Sequence, residues 1–264
     1  MELLLRGRRV TYRVVGEGPP ALFIPAFPLD SRQWIGVEQL LAPRARVVSI
    51  DLPGFGGSDP LPEAETTIAA YADAVDAVAA AVAPGAQWVL GGCSMGGYVV
   101  FECVRRGTIA RRGLVLSDTR AVSDTADQRE GRVRFIAKAR AEGVGAVVDA
   151  QLPRMLTDSC DPTIRAEVES IMRSAPLAGV LGALNALLTR PDSVATLSQI
   201  KEPVLAIVGE HDPVSPPAEM EAMASKLSRV SFVRIQRASH FANLERPQAF
   251  HRALLDWWTS LPVS

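Results

Sequence analysis

A serine flanked by glycines stands between a predicted strand and a predicted helix. In the stretch QWVLGGCSMGGYVVFECVRRG, residues 87–107, an apolar run ends in two glycines and a helical pattern follows the serine. On so tight a turn, side chains two positions before and two positions after the serine collide, so both positions require glycine. The segment GCSMG, residues 92–96, meets this requirement. It predicts a turn that lifts the Ser94 hydroxyl clear of a sheet, with an ordinary glycine-rich turn or a phosphate-binding loop as the alternative.

Strand and helix patterns alternate along most of the chain. Apolar runs typical of strands lie at 8–16, 21–27, 45–54, 87–93, 111–119, 202–212 and 230–240. Helical patterns lie between and after them, at 64–83, 96–107, 216–227 and 246–260. This alternation predicts an α/β fold, a mostly parallel, doubly wound sheet with helices on both faces and right-handed crossovers.

Residues 120–195 interrupt the alternation. They carry four consecutive helical patterns and no convincing strand. We therefore predict a core formed by residues 1–119 and 196–264 and an all-helical cap formed by residues 120–195. Five apolar side chains of this cap have a spacing that fits the lining of an acyl pocket and ordinary helix packing equally well: Met155, Met172, Leu177, Leu181 and Leu184.

Charge and composition exclude several classes of partner. The chain has 28 basic and 29 acidic residues among 264, without a long run of one sign, which argues against nucleic acid or a polybasic membrane patch. The three scattered cysteines and three histidines indicate neither a disulfide framework nor a metal site. The N-terminus lacks a signal-peptide pattern, and no apolar run is long enough to span a membrane. We expect a cytoplasmic protein without a cofactor.

A serine nucleophile needs a base, and the base needs an acid that orients it. His240, in RASHFANLERP after the last predicted strand, is the natural base, and Asp212, in GEHDPVSPP, is the natural acid. With Ser94 they follow the order Ser, Asp, His at the ends of successive strands, as this chemistry requires on such a sheet. Two alternatives remain: Asp118, in VLSDT, also ends a strand, and Asp212 before Pro213 is typical of an Asx turn.

Ester hydrolysis also needs two backbone N–H donors for the oxyanion. Met95, directly after the serine, supplies one of them. The other is expected in the loop FIPAFPLD, residues 23–30, with Phe27 as the donor. Because Phe27 precedes Pro28, its backbone is biased toward an extended conformation.

Four motifs together resemble the α/β-hydrolase superfamily: GGCSMGG, DLPGFGGSD (residues 51–59), GEHDPVSPP and ASHFANLERP. The resemblance covers nearly the whole chain, with a helical cap at the usual insertion point. The stretch LVLSDTRAVSDTADQREGR is also similar to a bacterial subgroup of carboxylesterases, whose acid follows the later strand, which favours Asp212. The DLPGFGGSD motif is expected to shape a loop, with Asp51 and Ser58 forming hydrogen bonds within it.

One departure from the superfamily concerns the oxyanion loop. Pro25-Ala26 stands where members usually have His-Gly, in which the histidine braces the loop and the glycine lets it turn tightly. Alanine does not readily adopt a positive φ, so a different path is expected for the loop around Phe27.

The resemblance and the residues together predict a serine esterase. Ser94 forms an acyl-enzyme with a small carboxylic ester, His240 acts as the base and Asp212 as the orienting acid. Lactone hydrolysis uses the same groups and remains an alternative, as does a catalytically weak ligand-binding protein. Haloalkane dehalogenation and epoxide hydrolysis are disfavoured, because both use aspartate at the position of Ser94. The expected partner is a small ester or lactone, with no nucleic acid, membrane or metal.

Overall fold

One eight-stranded sheet organises the chain. The computed structural model describes residues 1–262, so the last two residues of the predicted core segment 196–264 lie outside the described part. The strands are β1 (Glu2–Leu5), β2 (Arg8–Val15), β3 (Pro20–Ile24), β4 (Arg46–Ile50), β5 (Trp88–Cys93), β6 (Arg111–Ser117), β7 (Val204–Gly209) and β8 (Val230–Ile235). Their order in the sheet is β1-β2-β4-β3-β5-β6-β7-β8. β2 runs antiparallel to both of its neighbours, and the other pairs are parallel.

Helices cover both faces of the sheet. Outside residues 120–195 they are α1 (Ile35–Leu41), α2 (Ile68–Val82), α3 (Met95–Arg106), α7 (Pro217–Ala224), α8 (Ala242–Glu245) and α9 (Pro247–Thr259). Buried residues of α2 and α3 belong to one apolar core, and those of α1 and α9 belong to a second core. The predicted mostly parallel, doubly wound sheet is thereby confirmed.

Alternation along the central strands creates the two cores. In β3, Leu22 and Ile24 pack into the core beneath α2 and α3, whereas Ala21 and Phe23 pack into the core beneath α1 and α9. Successive side chains of a strand point to opposite faces, and a strand covered on both faces is apolar throughout. The continuous apolar run in the sequence follows from this two-sided burial.

Several short elements escape sequence prediction, among them β1, α1 and α8. β1 is a four-residue edge strand in which no residue is fully buried. Its pairing with β2, over four residue pairs, defines it as a strand. Its four residues carry no sequence pattern that predicts a strand by itself. α8 has only four residues, which is too short for a helical period to show.

The segment between β6 and β7 contains three α-helices, α4 (Ala126–Met155), α5 (Pro162–Arg173) and α6 (Leu177–Leu188), followed by a short 3₁₀ helix at Ala195–Gln199. Gly143, at φ 79° and ψ −173°, breaks α4, which explains why two helical patterns are visible in its sequence. A capping box begins α4, and Asp161 caps α5. Among residues 1–262 no single helix is long and apolar enough to cross a membrane; α5 and α6 meet these criteria only jointly, across a bend of 92°.

A buried ion cluster ties both ends of this helical segment to the core. The Asp124 carboxylate, 1% exposed, accepts hydrogen bonds from Arg190 at 2.8 Å and Arg120 at 3.0 Å, and it also pairs with Arg132. The Arg190 guanidinium lies 4.3 Å over the ring of Tyr98 in α3. Burial by itself raises the pKa of Asp124, but the guanidiniums of Arg132 and Arg190 outweigh burial and lower it to about 2.

We expect Asp124→Asn to lower the free energy of unfolding at neutral pH by about 3–5 kcal/mol, because it leaves buried guanidiniums without their carboxylate. The folded-state pKa of about 2 lies below the ordinary value of 3.8. The carboxylate therefore contributes its full stabilisation above the ordinary pKa and loses it as the pH falls toward the folded-state pKa. Denaturant titrations of wild type and variant, from neutral pH down to about pH 2, measure this loss in the free energy of unfolding.

Glu130→Gln is the matched control for this change. Glu130 also pairs with an arginine, Arg134, but its side chain is 71% exposed. Its replacement is expected to change stability by less than about 0.5 kcal/mol at any of these pH values. Equal effects of the two substitutions would contradict the assignment of Asp124 as the anchor.

Candidate active site

Ser94 occupies the tight turn between β5 and α3. Its backbone has φ 51° and ψ −112°, a conformation that non-glycine residues rarely adopt. A Cβ at Gly92 would overlap the backbone of Gly96, and a Cβ at Gly96 would overlap the carbonyl of Ile24. The turn is therefore the strained strand-to-helix bend that the glycine spacing predicts, and Ser94 stands partly exposed at its tip.

His240 and Asp212 form a buried pair. Nδ1 of His240 lies 2.8 Å from Oδ2 of Asp212, and both side chains are at most 2% exposed. The other oxygen of Asp212 accepts hydrogen bonds from the amides of Val214 at 2.7 Å and Ser215 at 3.0 Å. The two interpretations of Asp212 thus hold together, since one oxygen closes an Asx turn while the other contacts the imidazole.

Asp118, the competing acid, is occupied elsewhere. Its Oδ1 accepts from the Gly209 amide at 2.8 Å, and its Oδ2 accepts from the Ser117 hydroxyl at 2.6 Å. Burial, with the neighbouring Asp212 charge, raises the pKa of Asp118 well above its ordinary value. Asp212, and not Asp118, is therefore the carboxylate that contacts His240.

The loop that carries His240 passes beside the serine turn. The thiol of Cys93, the residue before Ser94, lies 3.9 Å from the carbonyl oxygen of His240. The Thr119 hydroxyl, after β6, donates to the carbonyl of Ser94 at 2.9 Å. Within residues 1–262 no hydrogen bond joins the Ser94 hydroxyl to His240. In serine hydrolases without substrate this hydrogen bond is often long, and it shortens when substrate binds.

A buried glutamine braces the loop after β3. Oε1 of Gln33 accepts from the Ala26 amide at 2.7 Å, and the Leu29 amide donates to the Ala26 carbonyl at 2.7 Å. Gln33 also exchanges hydrogen bonds with Asn243, through its backbone carbonyl at 2.9 Å and its side-chain amide at 3.3 Å. Because Gln33 supplies the brace, the loop forms without a positive φ at Ala26.

The backbone amides of Met95 and Phe27 have no protein acceptor among residues 1–262. Met95 opens α3, so its N–H has no partner within the helix. The Phe27 N–H likewise donates to no acceptor in the part of the chain that the structure describes. The carbonyls of Ile24 and Pro25 lie against Gly96, so the loop runs alongside the turn. The Phe27–Pro28 peptide bond is cis, and the Phe27 ring packs edge-on against Phe55.

Hydrogen bonds attach the segment around His240 to the end of α4. The Phe241 amide donates to the carbonyl of Met155 at 3.1 Å, and the Ser239 hydroxyl donates to that of Arg154 at 3.0 Å. The buried Glu245 carboxylate accepts from the amides of Ser239 at 2.8 Å and Thr157 at 3.0 Å. The helical segment therefore forms part of the frame around His240.

The DLPGFGGSD loop is shaped by Asp51. Its carboxylate accepts hydrogen bonds from the Ser31 amide at 2.8 Å, the Gly57 amide at 3.1 Å and the Thr11 hydroxyl at 2.7 Å. Ser58 donates to the carbonyl of Asp51 at 2.7 Å. The structural role expected for Asp51 and Ser58 agrees with these contacts.

Residues 21–253 match the sequence profile of the Alpha/beta hydrolase family. The chain belongs to this family. A thermophilic esterase from Thermogutta terrifontis, solved with malate bound, is 34% identical, with a TM-score of 0.91 over 96% of this chain and 93% of that one. The match confirms the predicted superfamily.

Two further relatives extend the comparison. The enol-lactonase from Burkholderia xenovorans is 26% identical, with a TM-score of 0.89 over 98% of this chain and 100% of its own. The pimeloyl-[acyl-carrier protein] methyl ester esterase of Xanthomonas campestris pv. campestris (strain B100) is 28% identical over 94% of this chain and 98% of its own. Esterases among the relatives confirm the prediction of a carboxylic ester hydrolase.

Sequence reasoning missed several residues that hold the site. Asn243 and Glu245 lie within the quoted ASHFANLERP motif, three and five positions after His240, so their proximity was visible although their role was not. No sequence pattern around Gln33 predicts its role, because its partners Ala26 and Asn243 lie in other loops. Of the five apolar residues of residues 120–195, Met172 and Leu184 are at most 1% exposed, so helix packing accounts for them, whereas Leu177 is 37% exposed.

We expect Asp212→Asn to lower kcat for ester hydrolysis about 10⁴-fold, because the amide holds His240 in the wrong tautomer. Asp118→Asn keeps the acceptor geometry near Gly209 and retains most of the turnover. Steady-state kinetics of the two variants on one ester decide between the carboxylates. A loss in Asp118→Asn as large as that in Asp212→Asn would refute the assignment.

Gly96→Ala is expected to lower the free energy of unfolding by about 1–3 kcal/mol through overpacking against Ile24, and to reduce turnover. Gly131→Ala serves as the control, because its Cβ enters open space within α4. That variant is expected to gain about 0.5–1 kcal/mol. Thermal denaturation compares the stabilities of the two variants with that of wild type. A Gly96→Ala protein of unchanged stability would show that the turn does not need glycine at position 96.

Proposed function

We propose that this protein is a serine hydrolase that cleaves small carboxylic esters through an acyl-enzyme on Ser94. The observation that carries the proposal is the buried 2.8 Å contact between His240 Nδ1 and Asp212 Oδ2. With Nδ1 held by the carboxylate, Nε2 is the nitrogen left to accept a proton. The strained turn presents the Ser94 hydroxyl at the same edge of the sheet.

In this mechanism, Ser94 Oγ attacks the ester carbonyl carbon while His240 Nε2 takes the hydroxyl proton. The carbonyl oxygen becomes negative and accepts hydrogen bonds from the amides of Met95 and Phe27. Each such donor is worth about 3 kcal/mol of transition-state stabilisation. The tetrahedral intermediate expels the alcohol, which takes its proton from His240. Water, deprotonated by the same imidazole, then attacks the acyl-enzyme and releases the carboxylic acid.

Burial strengthens the stabilisation that Asp212 gives to a positively charged His240. The imidazole becomes positively charged when it accepts the proton, and a carboxylate at hydrogen-bond distance stabilises that charge more strongly where water is excluded. Both Asp212 oxygens are already saturated by donors, so the carboxylate does not need to reorganise during the reaction.

Residues 120–195 form the proposed cap over this site. The end of α4 is hydrogen-bonded to both neighbours of His240, and Gly179 of α6 lies directly against Gly54 of the DLPGFGGSD loop. These contacts support a binding cleft between the helical segment and the sheet edge. The chemistry requires no cofactor or metal, and we place the enzyme in the cytoplasm.

Lactones are the second candidate substrates. The same attack on the carbonyl opens a ring ester, and the similarity to an enol-lactonase favours testing them. The methyl esterase relatives favour methyl esters within the leading class. A panel of open-chain esters and lactones, compared by kcat/KM, ranks the two classes. A protein that binds these compounds without turnover would instead be a ligand-binding member of the fold.

Ser94→Ala is expected to lose p-nitrophenyl acetate and butyrate hydrolysis by about 10⁴-fold or more, because the nucleophile is removed. A phosphonate ester is expected to add one phosphonyl group to wild type, on the peptide that contains Ser94, as measured by mass spectrometry. Cys93→Ala is the neighbouring control and should still form the adduct. Turnover that survives in Ser94→Ala, or an adduct elsewhere, would overturn the proposal.

A further inference from the structure

An arginine-rich cavity lies between α4 and the loop after β7. Its volume is about 500 Å³. Besides apolar groups it is lined by six polar side chains, three of them guanidiniums: Arg120, Arg132, Arg154, Gln128, Gln151 and Glu219. Guanidinium and amide N–H groups are donors suited to a carboxylate or phosphate.

Positive charge exceeds negative charge at this cavity. Arg120, Arg132 and the adjoining Arg190 share one buried carboxylate, that of Asp124. Arg154 is exposed and has no carboxylate within ion-pair distance among residues 1–262. Glu219, the second acid, is 42% exposed and reaches Arg120 only at 3.4 Å. The lining of the cavity therefore holds three guanidiniums and one carboxylate, that of Glu219.

Part of the arginine cluster is not satisfied by the protein. The Nε atom of Arg120 is buried and has no hydrogen-bond acceptor among residues 1–262, and a buried N–H without an acceptor costs free energy. The ion cluster around Asp124 does not account for this donor, nor for the exposed guanidinium of Arg154.

Three residues or pairs that line the cavity are chain neighbours of the candidate active site. Arg120 follows Thr119, whose hydroxyl donates to the Ser94 carbonyl. Pro213 and Val214 directly follow Asp212. The carbonyl of Arg154 accepts from Ser239, the residue before His240. The cavity therefore lies next to the loops that carry the candidate acid and base.

We propose that this cavity binds a carboxylate carried by the ester substrate, so that the enzyme prefers monoesters of dicarboxylic acids to neutral esters. The inference rests on the proposed function. Arg154 and Arg120 bind the carboxylate oxygens, and the bound group positions the far ester carbonyl at Ser94. Binding energy from this remote group raises kcat/KM for the charged substrate.

The test compares monomethyl and dimethyl esters of one dicarboxylic acid, from succinate to suberate, by the rate of methanol release. Wild type is expected to show a higher kcat/KM for the monoester at the chain length that spans the two subsites. In Arg154→Gln the ratio of monoester to diester kcat/KM should fall about ten-fold, the effect of one lost hydrogen bond to a charged group. Arg154→Lys, which keeps the charge, should restore part of the preference.

Arg134→Gln is the matched control. Arg134 lies on the same helix, is 68% exposed, and pairs with Glu130 outside the cavity. This variant should leave the ratio unchanged. If wild type shows no preference for any monoester, or if Arg154→Gln and Arg134→Gln behave alike, the carboxylate subsite is refuted, while Ser94-dependent cleavage of the diester leaves the proposed function intact.

Two further measurements separate the remaining outcomes. Inorganic phosphate that inhibits diester cleavage as strongly as the free dicarboxylate would show a site for free anions and overturn the substrate assignment. If wild type cleaves no ester, the proposed function fails. Calorimetric titration with the free dicarboxylate then tests the cavity alone, where binding lost in Arg154→Gln supports the carboxylate site and absent binding in wild type refutes it.

Discussion

The buried hydrogen bond between His240 and Asp212 is the interaction on which the rest of the site depends. It sets the orientation of the imidazole, because the carboxylate holds Nδ1 at 2.8 Å. A carboxylate and an imidazole are costly to bury, so each needs further donors or close packing. Asp212 meets this need with two backbone amides, and the Phe241 ring packs beside the imidazole at 5.6 Å.

Around this pair, loops from distant parts of the chain are linked by reciprocal hydrogen bonds. Gln33 and Asn243 join the loop after β3 to the segment that follows His240. Glu245 joins that segment to Thr157 at the end of α4. The loop after β3, the histidine loop and the helical segment therefore form one continuous frame. A single mispositioned loop would displace all three, since packed interiors transmit strain rather than absorbing it.

Electrostatics divide the neighbourhood into two regions with different chemistry. Near His240, the buried carboxylates Asp118, Asp212 and Glu245 are each saturated by protein donors. On the far side of Asp212, the guanidiniums around Asp124 outnumber the carboxylates. In the first region protein donors satisfy the carboxylates and Asp212 holds the His240 ring, whereas the second retains unpaired donors and is suited to attract an anion.

The sequence by itself determined the sheet, the helical segment and the candidate nucleophile, base and acid. Alternating apolar runs specify strands and helices locally, and the glycine spacing around Ser94 reflects steric exclusion within five residues. It also showed two acids at strand ends, Asp118 and Asp212, and favoured Asp212. Only the tertiary structure decided that Asp212 contacts His240, and that Gln33 replaces the brace expected from His-Gly at Pro25-Ala26. It also decided that Arg154 and Arg120 line one cavity. Those contacts join residues separated by up to 210 positions, and no local pattern encodes which loops meet once the sheet has closed.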